Sequence, residues 1–200
     1  VALEVVKNFL MKKLMKLVCT QNDLDNALNI VGKAISQNTT LPVLNNVLLK
    51  AEGGNLHFAG TNLEIAIQCF IPAEVKAEGA ITVPAKLLMS YISLLKDEKV
   101  ELSVDDSNTL LIKAPSSQTK IKGIAAEEFP LIPTVSKDSI FGVARKDLDT
   151  AISQTVFAAA TNTARPVLSG ILFDLHKDAL KLVATDSYRL AEKKVTLKEK

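Results

Sequence analysis

Asn22-Asp-Leu-Asp-Asn-Ala-Leu28 returns 124 residues later as Lys146-Asp-Leu-Asp-Thr-Ala-Ile152. Asn38-Thr-Thr-Leu-Pro-Val-Leu44 returns at the same offset as Asn162-Thr-Ala-Arg-Pro-Val-Leu168. Leu48, Leu56 and Thr61 return as Leu172, Leu180 and Thr185. Between residues 22 and 67 this single ungapped offset gives 13 identities, where chance would scatter a few over several offsets. A period this long belongs to a duplicated domain, since solenoid repeats run to about 20–50 residues. The chain therefore divides into an extension (1–14), a first domain (15–135) and the first half of a second copy (136–200). Phe129-Pro-Leu-Ile-Pro-Thr-Val-Ser136 is the linker, because two prolines discourage regular structure.

Each copy has an internal rhythm. Residues 15–20 alternate as a strand, and Asn22 is placed to cap the helix that follows. Leu24, Ala27, Leu28, Val31, Ala34 and Ile35 fall on one helical face. Strands are expected at 46–52 and 55–60, joined by the hairpin signal Gly53-Gly54. A third is expected over 63–71, with Ile65, Ile67, Cys69 and Ile71 on one side. The pattern restarts with a strand at 80–83 and Pro84 opening a helix whose apolar face is Leu87, Leu88, Tyr91, Ile92 and Leu95. Strands near 99–104, 109–113 and 119–124 follow. The second copy shows a strand at 139–144, a helix at 146–160 and strands at 170–176, 179–184 and 187–197. The fold class is α+β, built from duplicated βαβββ units whose helices cover small antiparallel sheets.

Composition narrows the function. The 200 residues carry a net charge of +2, and 48% are apolar, enough for a packed core. No apolar run is long enough to span a membrane, so no membrane partner is expected. The two cysteines cannot build a disulfide framework, and the two histidines are too few for a His-based metal centre. No Cys-x-x-Cys, dinucleotide-binding or Walker pattern occurs, so no cofactor or metal is expected. Residues 1–14 lack a cleavage site and Met15 is a plausible start; with free thiols, this favours the cytoplasm. The helix sides turned from the core hold the remaining information. They carry Asn26, Asn29, Lys33 and Ser36 on the first helix, with Asp25 near its start. On the second they carry Lys86, Ser90 and Ser93, with Lys96 just past the end. On the third they carry Thr150, Ser153, Gln154 and Phe157. The acids lie largely in strands, turns and linkers. Such faces suit weak, sequence-blind contact with phosphates, because DNA affinity comes mainly from Lys and Arg neutralising phosphate charge. Solvated helix faces needing no partner are the plainer reading of the same periodicity. Asp105-Asp106-Ser107-Asn108 reads as a turn, and His57 as an outward strand residue.

Several separated motifs resemble one family. Met15-Lys-Leu-Val-Cys-Thr-Gln-Asn-Asp-Leu24, Thr39-Thr-Leu-Pro-Val-Leu-Asn-Asn-Val-Leu-Leu49, Gly60-Thr-Asn-Leu-Glu-Ile65 and Thr82-Val-Pro-Ala85 resemble the first domain of the bacterial sliding clamp, the beta subunit of DNA polymerase III. Val183-Ala-Thr-Asp-Ser-Tyr-Arg-Leu-Ala191 resembles its second-domain signature. The resemblance implies the DNA-clamp fold, with sheets outside and helices on one face. It implies a homodimeric ring of three-domain subunits that encircles double-stranded DNA and raises polymerase processivity, with no catalysis of its own. It also implies a pocket for short peptides from the polymerase III alpha subunit, the clamp loader and repair proteins. The second-domain half of that pocket maps to Leu168, Thr185, Ser187, Tyr188, Arg189 and Leu190, with Ser187 and Tyr188 replacing the usual Gly and His. Duplex contacts map to Lys33, Asn38, Lys86, Asn162 and Arg165. Because the third domain is absent, these 200 residues alone are expected to be a fragment that cannot close a ring. The competing readings are a non-DNA scaffold of the same fold, and an α+β enzyme with a groove site at Asp186, Arg189 and His176.

Overall fold

The computed structural model describes residues 15–35, 41–96, 98–133, 140–162, 165–176 and 178–197. The extension before Met15, together with Ser36 and Asn38, lies outside the described residues. Contacts divide the chain into two units, one through Pro133 and one after it.

In the first unit, β1 (Lys16–Thr20) runs into α1 (Gln21–Val31), which closes with a 3-10 turn at Gly32–Ala34. The helix cap is Thr20 and not Asn22: its hydroxyl accepts from Asp23 N at 3.1 Å. Both residue types cap well, and the one at the strand end has the extended backbone that capping requires. Leu24, Ala27, Leu28 and Val31 are buried as the periodicity demands, Ala34 joins them from the 3-10 turn, and Ile35 packs half-buried beside them. A 3-10 turn at Pro42–Asn45 leads to β2 (Asn46–Glu52), β3 (Asn55–Thr61) and β4 (Ala66–Pro72). Gly53 and Gly54 make the β2–β3 turn at φ of 58° and 77°, a backbone that costs an L side chain about 1–2 kcal/mol per residue. Changing both to Ala should therefore lower the unit's unfolding free energy by about 2–4 kcal/mol, whereas Asn-Gly should be tolerated. Chemical denaturation followed by circular dichroism checks both.

The second half of the unit contains β5 (Glu74–Ala77), β6 (Gly79–Pro84), α2 (Ala85–Leu94), β7 (Lys99–Val104), β8 (Thr109–Lys113) and β9 (Gln118–Lys122). Two antiparallel sheets form, ordered β4-β3-β2-β6 and β5-β1-β7-β8-β9. The opening strand of each half sits in the other half's sheet, β1 beside β7 and β6 beside β2. This exchange ties the halves into one core, which holds Leu24 and Leu28 of α1, Leu88 and Ile92 of α2, and Leu17, Leu49, Phe58, Leu102 and Leu110 of the strands. Burying each such side chain is worth about 1.5–3 kcal/mol. Gln21 Nε2 donates to Ile92 O at 2.9 Å and links the helices. Three sequence readings change here. The strand expected over 63–71 begins only at Ala66, and Ile65 is 53% exposed. Leu87, assigned to the apolar face of α2, is 55% exposed, and Ala85 is buried instead. The edge strand β5, paired with β1, had no counterpart in the sequence reading.

The second unit holds α3 (Arg145–Thr155), 3-10 turns at Val156–Ala158 and Pro166–Ser169, and a sheet ordered β10 (Leu172–His176), β11 (Ala179–Thr185), β12 (Leu190–Thr196). No strand is assigned over residues 140–144, the helix expected over 146–160 ends at Thr155, and the last strand starts at 190 rather than 187. Ala151, Leu180, Leu182 and Val195 form its core. The 124-residue offset holds in three dimensions. It carries α1 onto α3 and β3 onto β11 with both ends matching, and β4 onto β12 likewise.

Candidate nucleic-acid and peptide interfaces

The proposed duplex contacts are all exposed where they are described. Lys33 stands in the 3-10 turn after α1, and Lys86 in the first turn of α2. Among the described residues neither forms an ion pair. Most of their neighbours are neutral. Asn26 and Asn29 are exposed on α1, and Asn29 Nδ2 donates to Asp25 Oδ2 at 3.0 Å, which leaves Asp25 as an acid on that side. Ser90, Ser93 and Lys96 are exposed on or just past α2. On α3 the Thr150 and Ser153 hydroxyls donate back to the carbonyls of Lys146 and Asp149, leaving a face of satisfied hydroxyls around Gln154. Asn162 is exposed in the loop after α3.

Thr185, Ser187, Tyr188, Arg189 and Leu190 lie at the junction of β11 and β12. Thr185 Oγ1 donates to Arg189 O at 2.7 Å and accepts from Ser187 N at 3.1 Å. Asp186 Oδ1 accepts from Tyr188 N and Arg189 N, each at 3.0 Å, and its Oδ2 accepts from Arg189 Nε at 3.0 Å. The backbone N–H groups of Tyr188 and Arg189, and then the Arg189 charge, hold the Asp186 carboxyl below the usual carboxylate range. Ser187 takes φ of 78° to close the turn. These bonds leave Tyr188 97% and Leu190 66% exposed. Leu168 lies half-buried in its own 3-10 turn, with its N–H bonded to Arg165 O and its carbonyl to Ala160 N. Arg165, which the sequence places with the duplex set, is exposed and donates its Nη1 to Ser187 Oγ at 3.2 Å.

The same loop exists in the first unit. Thr61 Oγ1 donates to Ile65 O at 2.8 Å and accepts from Leu63 N, Asn62 Oδ1 accepts from Glu64 N and Ile65 N, and Leu63 takes φ of 75°. Every one of these bonds maps onto the second loop at the offset of 124. The scaffold is therefore set by Thr61/Thr185 and Asn62/Asp186, and the side chains it displays are free to differ.

The groove site imagined for an enzyme does not assemble. His176 Nε2 meets Asp174 Oδ2 at 2.8 Å beside the β10–β11 turn, where His176 pairs with Ala179. Asp186 and Arg189 follow Thr185 at the opposite end of β11, about 20 Å away at the rise of an extended strand. The Cys19 thiol is buried, which pushes its pKa up to about 12, with the Asp23 charge adding to the effect, so it is not a ready nucleophile. No group of His, Cys, Asp and Glu among the described residues could hold a metal ion.

A twice-repeated α+β module with helices on its sheets defines a clamp-type fold. The family model described as the N-terminal domain of the DNA polymerase III beta subunit matches residues 15–133, and that of its central domain matches residues 142–200. The chain belongs to the DNA polymerase III beta subunit family. It is 35% identical over 179 residues to the beta sliding clamp of Halalkalibacterium halodurans, covering 86% of this chain and 47% of that protein. It is 37% identical over 187 residues to the beta sliding clamp of Synechocystis, covering 88% and 47%. The chain thus spans about half the length of the curated relatives it matches. Among solved structures, the DNA polymerase sliding clamp of Bacillus subtilis matches with a TM-score of 0.88 at 28% identity, over 94% of this chain and 51% of that one. The Pseudomonas aeruginosa clamp bound to griselimycin matches with a TM-score of 0.86 at 32% identity, over 93% and 51%.

Proposed function

We propose that this chain supplies the first and part of the second domain of a DNA polymerase processivity clamp, a ring that holds double-stranded DNA by enclosure. The observation that carries the reading is the pair of polar helix faces in the first unit, on which Lys33 and Lys86 stand exposed without a carboxylate partner among the described residues. A few unpaired cations among amides, hydroxyls and the exposed Ile30, Leu87 and Leu94 attract phosphates without gripping them, and a ring that slides needs that balance. The domain limits that go with this reading are 15–135 and 136–200. In this role the protein is not itself an enzyme, works in the cytoplasm and assembles as a homodimeric ring. Its Leu168, Thr185, Ser187, Tyr188, Arg189 and Leu190 form one wall of a site for short peptides of the polymerase III alpha subunit, the clamp loader and repair proteins. Exposed apolar groups beside a fixed guanidinium suit that task, since the first bind side chains and the second binds a main-chain or carboxylate oxygen. Lys33, Lys86 and Asn162 are the proposed duplex contacts. Arg165 and Asn38 keep that assignment from the resemblance, and Arg165 also reaches the peptide loop through Ser187.

The test uses a hybrid in which residues 15–197 are joined to the remaining half of the Bacillus subtilis clamp. Binding to duplex DNA is followed against salt concentration. Lys33→Ala and Lys86→Ala should each lower the slope of log affinity against log salt by about one unit. Unchanged slopes in both would remove these helices from the duplex interface.

A further inference from the structure

Phe157 is 58% exposed in the turn after α3, and the peptide-site reading gives it no task. The Arg189 guanidinium carbon lies 5.8 Å from the centre of its ring, within cation–π range. Asp186 Oδ2 accepts from Nε of the same guanidinium at 3.0 Å. One edge of the planar group is therefore bonded and its charge sits against an aromatic ring, which leaves the Nη1 and Nη2 donors for something else.

The first repeat is an internal comparison. Its loop closes with the same threonine and Asx hydrogen bonds and the same left-handed residue. Yet Lys33 stands at the position of Phe157, and Ile65 at that of Arg189. The loop folds without the ring and without the guanidinium, so its own hydrogen bonds require neither side chain. Two positions that are 32 residues apart in sequence carry a ring and a guanidinium in the second copy alone.

We propose that Phe157 is a positioning residue for Arg189. Its ring and the Asp186 carboxylate hold the guanidinium plane so that its free N–H pair meets a carbonyl or carboxylate oxygen of the bound peptide. This rests on the peptide-site reading. A planar fork already held by two partners loses little rotamer freedom when it takes an oxygen acceptor through parallel bonds, which is where its affinity and directionality arise.

Two measurements test it. On the chain itself, the Arg189 Nε–H resonance should carry a ring-current shift that disappears in Phe157→Leu and persists in Phe157→Tyr. No change in Phe157→Leu would overturn the contact directly. On the hybrid, griselimycin, the ligand of the Pseudomonas aeruginosa relative, is titrated by calorimetry. Phe157→Leu should bind about 2- to 5-fold more weakly, Phe157→Tyr should bind like the parent, and the thermal midpoints should agree. Parental affinity in Phe157→Leu, alongside loss of binding in Leu190→Ala, would overturn the role of Phe157 and leave the peptide site standing. Parental binding in Leu190→Ala, or none in the parent, would remove the peptide site and this inference with it. A lowered midpoint that Phe157→Tyr fails to rescue would make the ring structural only.

Discussion

Gly60→Val should destabilise the first unit by about 3 kcal/mol, the upper end of what overpacking costs. A Cβ at Gly60 would sit 2.7 Å from Val31 Cγ1, 2.8 Å from Ile35 Cγ1 and 3.0 Å from Val31 O. The first two atoms belong to side chains that anchor the end of α1 in the core, and the third is a backbone carbonyl that cannot rotate away. The second copy shows how the same junction accepts a side chain, since Ala184 stands where Gly60 does and Thr155 where Val31 does. Thr155 is fully buried and turns its hydroxyl back to Ala151 O at 2.9 Å. Chemical denaturation of Gly60→Val, alone and with Val31→Ala, measures the effect. Partial recovery in the double variant is expected, and a single variant as stable as the parent would show that α1 does not press on β3 as described.

The repeat was the most legible feature of the sequence, because a duplicated module leaves identities at one offset wherever the core or a turn demands a particular residue. Gly53-Gly54 was legible from turn chemistry, and the stripe Leu24, Ala27, Leu28, Val31 from helical periodicity. What escaped was set by tertiary partners. Glu74–Ala77 is a short, half-exposed edge strand that exists because β1 offers it a free edge. Ile65 looked inward because it alternates with Ile67 and Cys69, but Thr61 and Asn62 bind the chain into a turn at Leu63 and the strand starts one residue after Ile65. In the second unit the loop residues were grouped by the resemblance alone, whereas the contacts of Arg165 with Ser187 and of Phe157 with Arg189 span 22 and 32 residues and leave no periodic trace. Asp186 was weighed as part of an active site, and its carboxylate serves the turn and the Arg189 guanidinium.

The charge pattern makes a strong demand on how DNA is held. If the chain works as proposed, phosphate contacts through the few helix-face cations without a carboxylate partner among the described residues would each weaken as salt rises. In the proposed reading, residence comes from the closed path of the ring and should depend on whether the DNA has ends.

The most direct measurement compares retention of the hybrid on nicked circular DNA with retention on the same DNA cut once, in high salt, after loading by the Bacillus subtilis clamp loader. Enclosure predicts protein that stays with the circle and is lost from the linear form by more than tenfold, about 1.4 kcal/mol or more in apparent terms. Equal retention on both, falling steeply with added salt, would mean that these helices grip the duplex, and would contradict the account.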